Sequence, residues 1–293
     1  MTVLLLLCGL VAVALPGIRP RPLVAASPRW FARLSAVAVA MGLVCIAAAL
    51  ALSAAVNLLL ASPASTAGHL APGGRGGSIV ATLLSVWIIC RTAPLLIRAR
   101  SAHKAARADG WLGEHRRTDT HDLVVLPTTI PVAYNVPGRR SQIVISEGLR
   151  QQLDEDMLHF VIDHERAHLR AKDRRATVLT LTLEAVVPFL PFAMRTAAAM
   201  RVAIERAADE AAAGSEISRR RRLAANIQGV ALHVRASCAP EMTQFRARQL
   251  AVAPTEAHPL VAAAAAGIAL VGASALSVAF HTSGHFAPYL ALH

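Results

Sequence analysis

The sequence predicts an α+β chain in which a multi-pass helical membrane region carries one small domain built from a short β-sheet and several helices. Three observations lead there: apolar residues gathered into long runs, a polar middle section that turns from strand-like to helix-like patterning, and two helical motifs rich in His, Glu and Asp. The 293 residues are 55% hydrophobic and only 16% charged, with a formal net charge of +12. Together with a mean hydropathy of +0.47, this sets the chain apart from an average soluble domain.

Four apolar stretches account for the excess, at about residues 2–15, 34–61, 79–97 and 259–280. The last three are long enough to cross a hydrocarbon core, and the first is a shorter candidate span. The first stretch has no basic leader, and its Ala12-Val-Ala14 lies inside the apolar run, so it reads as a span rather than a cleaved signal peptide. Basic residues orient the spans. Arg19, Arg21, Arg29 and Arg33 follow the first stretch, and Arg98, Arg100, Lys104 and Arg107 follow the third, whereas the Gly/Pro/Ala-rich connection between the second and third has Arg75 as its only basic residue. The positive-inside rule then places the N-terminus outside and the middle of the chain in the cytoplasm of an inner (plasma) membrane protein. The expected organisation is an N-terminal membrane region, 1–99, with about three transmembrane helices; a cytoplasmic domain, 100–258; and a C-terminal transmembrane helix with a short tail, 259–293.

Within the middle section, 101–120 reads as a polar linker. Asp122-Leu-Val-Val-Leu126 and Ser141-Gln-Ile-Val-Ile145 are β-rich runs, with a further extended piece at 131–138 ending in a Pro-Gly turn. Helical patterning starts at Ser146. A second helix starts near Asp154, whose carboxylate can cap it, and its expected apolar side is Leu158, Val161, Ile162 and Leu169.

That second helix carries His164-Glu-Arg-Ala-His168. Positions four apart share a helix face, so both imidazoles can reach one metal while Glu165 beside them reaches water on it. With 12 histidines in 293 residues, a shuffled chain yields this pattern ~0.017 times, so chance does not explain it. A solvated polar helix face is the plain alternative. Glu205-Arg-Ala-Ala-Asp209 follows about one long helix later.

High basicity also raises nucleic acid as a partner, with Arg219-Arg-Arg-Arg222 the densest run. No DNA-binding module surrounds it and no aromatics interleave it, so direct nucleic-acid binding is not expected; a solvated or lipid-facing helix surface is. Cys8, Cys45 and Cys90 lie in apolar stretches and Cys238 stands alone, which gives no disulfide framework.

Over about 120–215 the chain resembles the gluzincin-type integral membrane peptidases, with BlaR/MecR-type antirepressors the nearest fit and HtpX-type proteases next. The resemblance rests on four motifs in order: Pro131-Val-Ala-Tyr-Asn-Val-Pro-Gly, Ile143-Val-Ile-Ser-Glu-Gly-Leu149, Asp163-His-Glu-Arg-Ala-His168 with Asp173, and Glu205-Arg-Ala-Ala-Asp209-Glu-Ala. It implies a gluzincin-type domain with His164, His168 and Glu205 as Zn2+ ligands and Glu165 as the catalytic base. Asp209, and Asp173 with it, would orient ligand histidines, a surface ion pair or helix cap being the alternative for each. Ala133, Tyr134 and Asn135 would form an edge strand that binds a substrate backbone, a turn or core strand being the alternative. His233, Arg235 and His258 are candidates for stabilising an oxyanion.

The apolar run 177–200 separates His168 from Glu205. A single crossing there would put ligands of one zinc on opposite sides of the membrane, and two crossings do not fit in so few residues. Pro188 and Pro191 break a continuous helix, so a membrane-associated helical hairpin is expected. The best-known antirepressors carry a penicillin-binding sensor after the last span, and this chain ends at His293; the expectation is therefore a signalling peptidase without that sensor. The implied partners are membrane lipids and a protein substrate, with a winged-helix transcriptional repressor the leading candidate. Alternatives are an HtpX-like quality-control or processing protease and a non-catalytic membrane scaffold.

Overall fold

The computed structural model describes residues 2–60, 74–233 and 240–252, together with Gly267. It is mostly helical with one small sheet. Helix α1 (Thr2–Ala14) bends by 62° into α2 (Pro20–Ala26), and two helices, α3 (Pro28–Leu60) and α4 (Gly74–Asp109), follow. Segments Pro28–Ala55 and Ile79–Leu112 are each long and apolar enough to cross a membrane. Helix α1, at 13 residues, spans only about 20 Å. It lies against α3 where two small residues meet: a Cβ on Gly42 would sit 2.7 Å from the Gly9 carbonyl oxygen, and one on Gly9 would sit 2.8 Å from that of Gly42. Small residues allow this backbone-to-backbone approach, a common device where apolar helices pack in lipid. On α4, Ile79, Val80, Leu83, Val86 and Ile89 are exposed. The expected span at 259–280 lies outside the described residues apart from Gly267.

The polar stretch 101–120 is not a linker. Its first part, Ala-rich and free of Gly or Pro, continues α4 to Asp109; a 3-10 turn (Gly110–Leu112) follows, and strand β1 (Glu114–Arg117) starts the sheet. Strand β1 was hidden because all four of its side chains are exposed, which leaves no apolar alternation to read. Strands β2 (Asp122–Leu126), β3 (Ala133–Val136) and β4 (Gln142–Ser146) complete it in the order β1-β2-β4-β3, with β2 and β4 parallel and the other pairs antiparallel. Strand β3 is thus an edge. Val124, Val136 and Val144 form the sheet's buried apolar cluster.

Two capped helices carry the chain from the sheet to the motif. Ser146 Oγ accepts from the Leu149 backbone N–H at the start of α5 (Glu147–Gln152), and Asp154 Oδ1 accepts from that of Met157 at the start of α6 (Glu155–Ala171). Lys172, in the left-handed conformation, ends α6. The buried residues of α6 are Met157, Phe160 and Val161; of the expected stripe Leu158, Val161, Ile162 and Leu169, Val161 is buried and the other three are only partly so, the core face being turned toward Met157 and Phe160. The domain core lies at the N-terminal half of α6, where Leu149, Ala213, Leu223 and Leu250 meet Phe160.

Helix α7 (Arg174–Val186) and helix α8 (Pro191–Ala213) are separated at Val187-Pro-Phe-Leu190 and pack against each other. Their apolar residues Leu183, Ala193, Ala197 and Met200 are buried against Val13 of α1 and Val39 of α3. Thr196 Oγ1 donates to the Val13 carbonyl oxygen at 2.7 Å. The run that reads like a further span is therefore spent on packing two short helices against the N-terminal ones. Helices α9 (Ile217–His233) and α10 (Pro240–Leu250) close the described chain. The Arg219–Arg222 run is not a uniformly solvated or lipid-facing surface: Arg219 donates to the Ala212 and Ala213 carbonyls, and buried Arg220 donates to the Gly214 carbonyl and pairs with Glu210 at 2.8 Å. These two side chains satisfy the carbonyls that the end of α8 leaves unpaired.

Candidate metal centre

Helix geometry and helix packing each supply part of the site. Four-residue spacing on α6 puts His164 and His168 on one face, with their Nε2 atoms 3.1 Å apart. Packing of α8 on α6 brings Glu205 to them: its carboxylate oxygens lie 3.5 Å from His164 Nε2 and 3.8 Å from His168 Nε2. One ligand atom from each of the three can be chosen so that all lie within 4.8 Å of one another. The histidine side chains are 12% and 13% exposed and that of Glu205 is 28% exposed, which leaves the cluster open on one side.

The outward nitrogens of both imidazoles face carboxylates. His164 Nδ1 is 3.0 Å from Asp209 Oδ1, and His168 Nδ1 is 2.9 Å from Asp173 Oδ2. Asp209 is one turn beyond Glu205 on α8, so a single helix presents both carboxylates to α6. Asp173 stands between α6 and α7 and makes no side-chain cap to α7.

One residue had no signal in the sequence. Arg246, in α10, donates from Nε and Nη2 to the two oxygens of Asp209, each at 2.7 Å, and its Nη1 lies 3.0 Å from Glu205 Oε2. Its side chain is 6% exposed and that of Asp209 is fully buried. An arginine inside Phe-Arg-Ala-Arg on an otherwise polar helix reads as solvated, and only the docking of α10 onto α8 shows otherwise. Of the residues considered for an oxyanion, Arg235 and His258 fall outside the described residues, as does the side chain of His233.

The electrostatics follow from this burial. Burial opposes protonation of His164, but Asp209 and Glu205, through hydrogen bonding and charge, hold its pKa at about 10. Burial also opposes ionisation of Glu205, yet His164, Arg246 and His168 bring it down to about 2. Asp209 is likewise held below the usual carboxylate range by Arg246 and His164, against the cost of burial.

Glu165 stands beside this cluster on α6, and Asn135 Nδ2 of the edge strand donates to its Oε2 at 2.5 Å. Strand alternation puts Ala133 on the same face as Asn135, packed against the core beneath α6, while Tyr134 turns to the sheet's valine cluster. The structure thus brings Asn135 to the site. Ala133 and Tyr134 contribute the edge backbone, not side chains, at this point.

The donor set fits a divalent metal: two imidazoles and a carboxylate converge, each imidazole is held from behind by a carboxylate, and a fourth side is open. No curated protein and no solved structure matches the chain. The family model described as BlaR1 peptidase M56 matches residues 79–246, more than half of the chain and a span that begins in α4 and ends on Arg246. With two apolar helices of membrane-crossing length and this cluster within the matched region, the chain belongs to the BlaR1 peptidase M56 family.

Proposed function

We propose that this chain is a multi-pass membrane zinc endopeptidase with a cytoplasm-facing site, and that it cleaves a transcriptional repressor in regulated signalling. The observation that carries the proposal is the convergence of His164, His168 and Glu205 next to a Glu165 that is itself held by Asn135. His164, His168 and Glu205 would hold the zinc. The ion supplies Lewis acidity at the scissile carbonyl and makes water more acidic.

The rest of the chemistry falls to side chains and backbone. Glu165 accepts the proton of the attacking water and delivers it to the leaving amine nitrogen, and the hydrogen bond from Asn135 fixes which carboxylate oxygen faces the reaction. Asp209 and Asp173 fix the tautomer and ring orientation of the histidines by engaging Nδ1. Strand β3, whose only neighbour among the described residues is β4, offers its outer edge to an extended substrate next to Glu165. Arg246 keeps Asp209 and Glu205 ionised and in place.

The cytoplasmic orientation is supported by Arg19, Arg21, Arg29 and Arg33, gathered from the end of α1 to the first turns of α3, and by the basic C-terminal part of α4. A site below that face receives soluble cytoplasmic chains, and a repressor is the substrate that the family resemblance favours. Glu165→Gln tests the reading. The variant should bind zinc as the wild type does yet cleave at least about 10²-fold more slowly, and a cytoplasmic DNA-binding protein should accumulate intact in cells that carry it. Undiminished cleavage would overturn the assignment of the base, and an unchanged proteome would overturn the repressor.

A further inference from the structure

A cavity lies on the side of α6 next to the histidine face. It holds about 320 Å³, and its polar lining consists of Arg29, Asp163, Arg166, Arg170 and Asp173 over a floor of alanines from α6 and α8. Its charges are not balanced. Three arginines face two aspartates: Arg166 pairs with Asp163, and Asp173 lies 2.9 Å from His168 Nδ1. Arg29 and Arg170, both exposed, have no ion-pair partner among the described residues.

The position of Arg29 says what kind of anion can arrive. It is the second residue of α3, one of the two helices of membrane-crossing length, so it sits at the end of an apolar segment. The next residue, Trp30, is 47% exposed, and Arg33 stacks over its ring at 5.7 Å. An exposed tryptophan followed by basic residues at a helix end is the usual signature of the headgroup layer. The start of a 33-residue helix adds partial positive charge to the same end. An apolar floor beneath an excess of positive charge, with two guanidinium groups that have no ion-pair partner among the described residues, suits a phosphate that carries an apolar or glycerol substituent, since arginine binds phosphate through paired N–H donors.

We infer that Arg29 and Arg170 form a binding site for a phosphate group, in a pocket that joins the membrane helix α3 to the metal-bearing helix α6. A phosphate here bridges an element of the membrane region and the C-terminal turn of α6, which ends beside Asp173. The inference stands apart from the peptidase reading, because it uses neither the metal cluster nor Glu165.

The test uses the full chain in neutral detergent. Native mass spectrometry would measure retention of phosphatidylglycerol against phosphatidylcholine, and in a separate arm, without lipid, retention of inorganic phosphate. We expect one tightly held phosphatidylglycerol, weakened roughly tenfold or more in R29Q/R170Q. Charge-retaining R29K/R170K, which keeps the charge but loses the paired N–H donors, should bind between wild type and the glutamine pair. As a control of equal charge where the apolar part of α4 gives way to its polar part, R98Q/R100Q should stay close to wild type. The helical circular-dichroism spectrum and thermal midpoint of every variant report that the fold is intact. Arginine-dependent retention of inorganic phosphate would assign the site to soluble phosphates, and its absence beside lipid retention would assign it to a headgroup. Equal loss in the two glutamine pairs, or no loss in R29Q/R170Q, would overturn the site.

Discussion

Replacing Asp209 by Asn separates its two tasks, holding Arg246 and holding His164. The side chain is fully buried, accepts two hydrogen bonds from Arg246 at 2.7 Å and lies 3.0 Å from His164 Nδ1. Asn fills the same volume, so no cavity term enters, but the charge that balances Arg246 is lost and an amide N–H₂ faces a guanidinium donor. Removing one member of a buried pair costs about 3–5 kcal/mol. Glu205 still lies 3.0 Å from Arg246, which puts the expected loss at the lower end, about 3 kcal/mol, read by denaturation of the metal-free protein in detergent. The loss of a carboxylate behind a ligand histidine should also weaken zinc by about 10- to 100-fold, measured by competition with a chelator. The double variant D209N/R246M removes the orphaned cation, so it should regain part of the stability and none of the zinc affinity. Full zinc affinity in D209N would refute the idea that Asp209 acts through His164.

The pH dependence of the metal-free protein follows from the same groups. His164 is raised from 6.5 to about 10, so its contribution is fully present below 6.5 and is lost as pH rises through about 10. Glu205 is lowered from 4.5 to about 2, so its contribution is present above 4.5 and is lost as pH falls through about 2. Stability should therefore be highest between these ordinary values, and zinc binding at neutral pH should release about one proton, seen by calorimetry in buffers of different ionisation enthalpy; no proton release would contradict a protonated His164. Asn135→Ala should lower kcat by up to about 10²-fold with zinc content unchanged, because the carboxylate of Glu165 loses its orientation. An unaltered kcat would remove Asn135 from the site. At Gly148 a Cβ would lie 2.0 Å from the Thr129 carbonyl oxygen, so Gly148→Ala should cost about 1–3 kcal/mol by displacing the entry to α5; a denaturation midpoint equal to wild type would show that the loop yields freely.

How much could be read without coordinates depended on the range of each interaction. The His164-Glu-Arg-Ala-His168 spacing is fixed by helix pitch, and the caps Ser146 and Asp154 act within three residues, so each is written in the local sequence. Strands β2 and β4 could be read from their apolar runs, whereas β1 could not, because an exposed edge strand leaves no pattern. Apolar spacing placed Val161 of α6 in the core but missed Met157 and Phe160, because the polar site itself occupies part of the side that faces neighbouring helices.

By itself the sequence determined the chemistry on offer: two imidazoles and a carboxylate on one helix, acids on another, and apolar segments of membrane length. Only the tertiary structure decided that the acids return to the imidazoles. That return depends on α7 and α8 breaking at Val187–Leu190 and burying Leu183, Ala197 and Met200 against α1 and α3, a set of contacts between segments more than a hundred residues apart. It also decided the place of Arg246, whose burial against Asp209 and Glu205 is a property of how α10 docks. Hydropathy measures the tendency of a residue to leave water, not the surface it will meet, and so the sequence could name the groups of the site but not their neighbours.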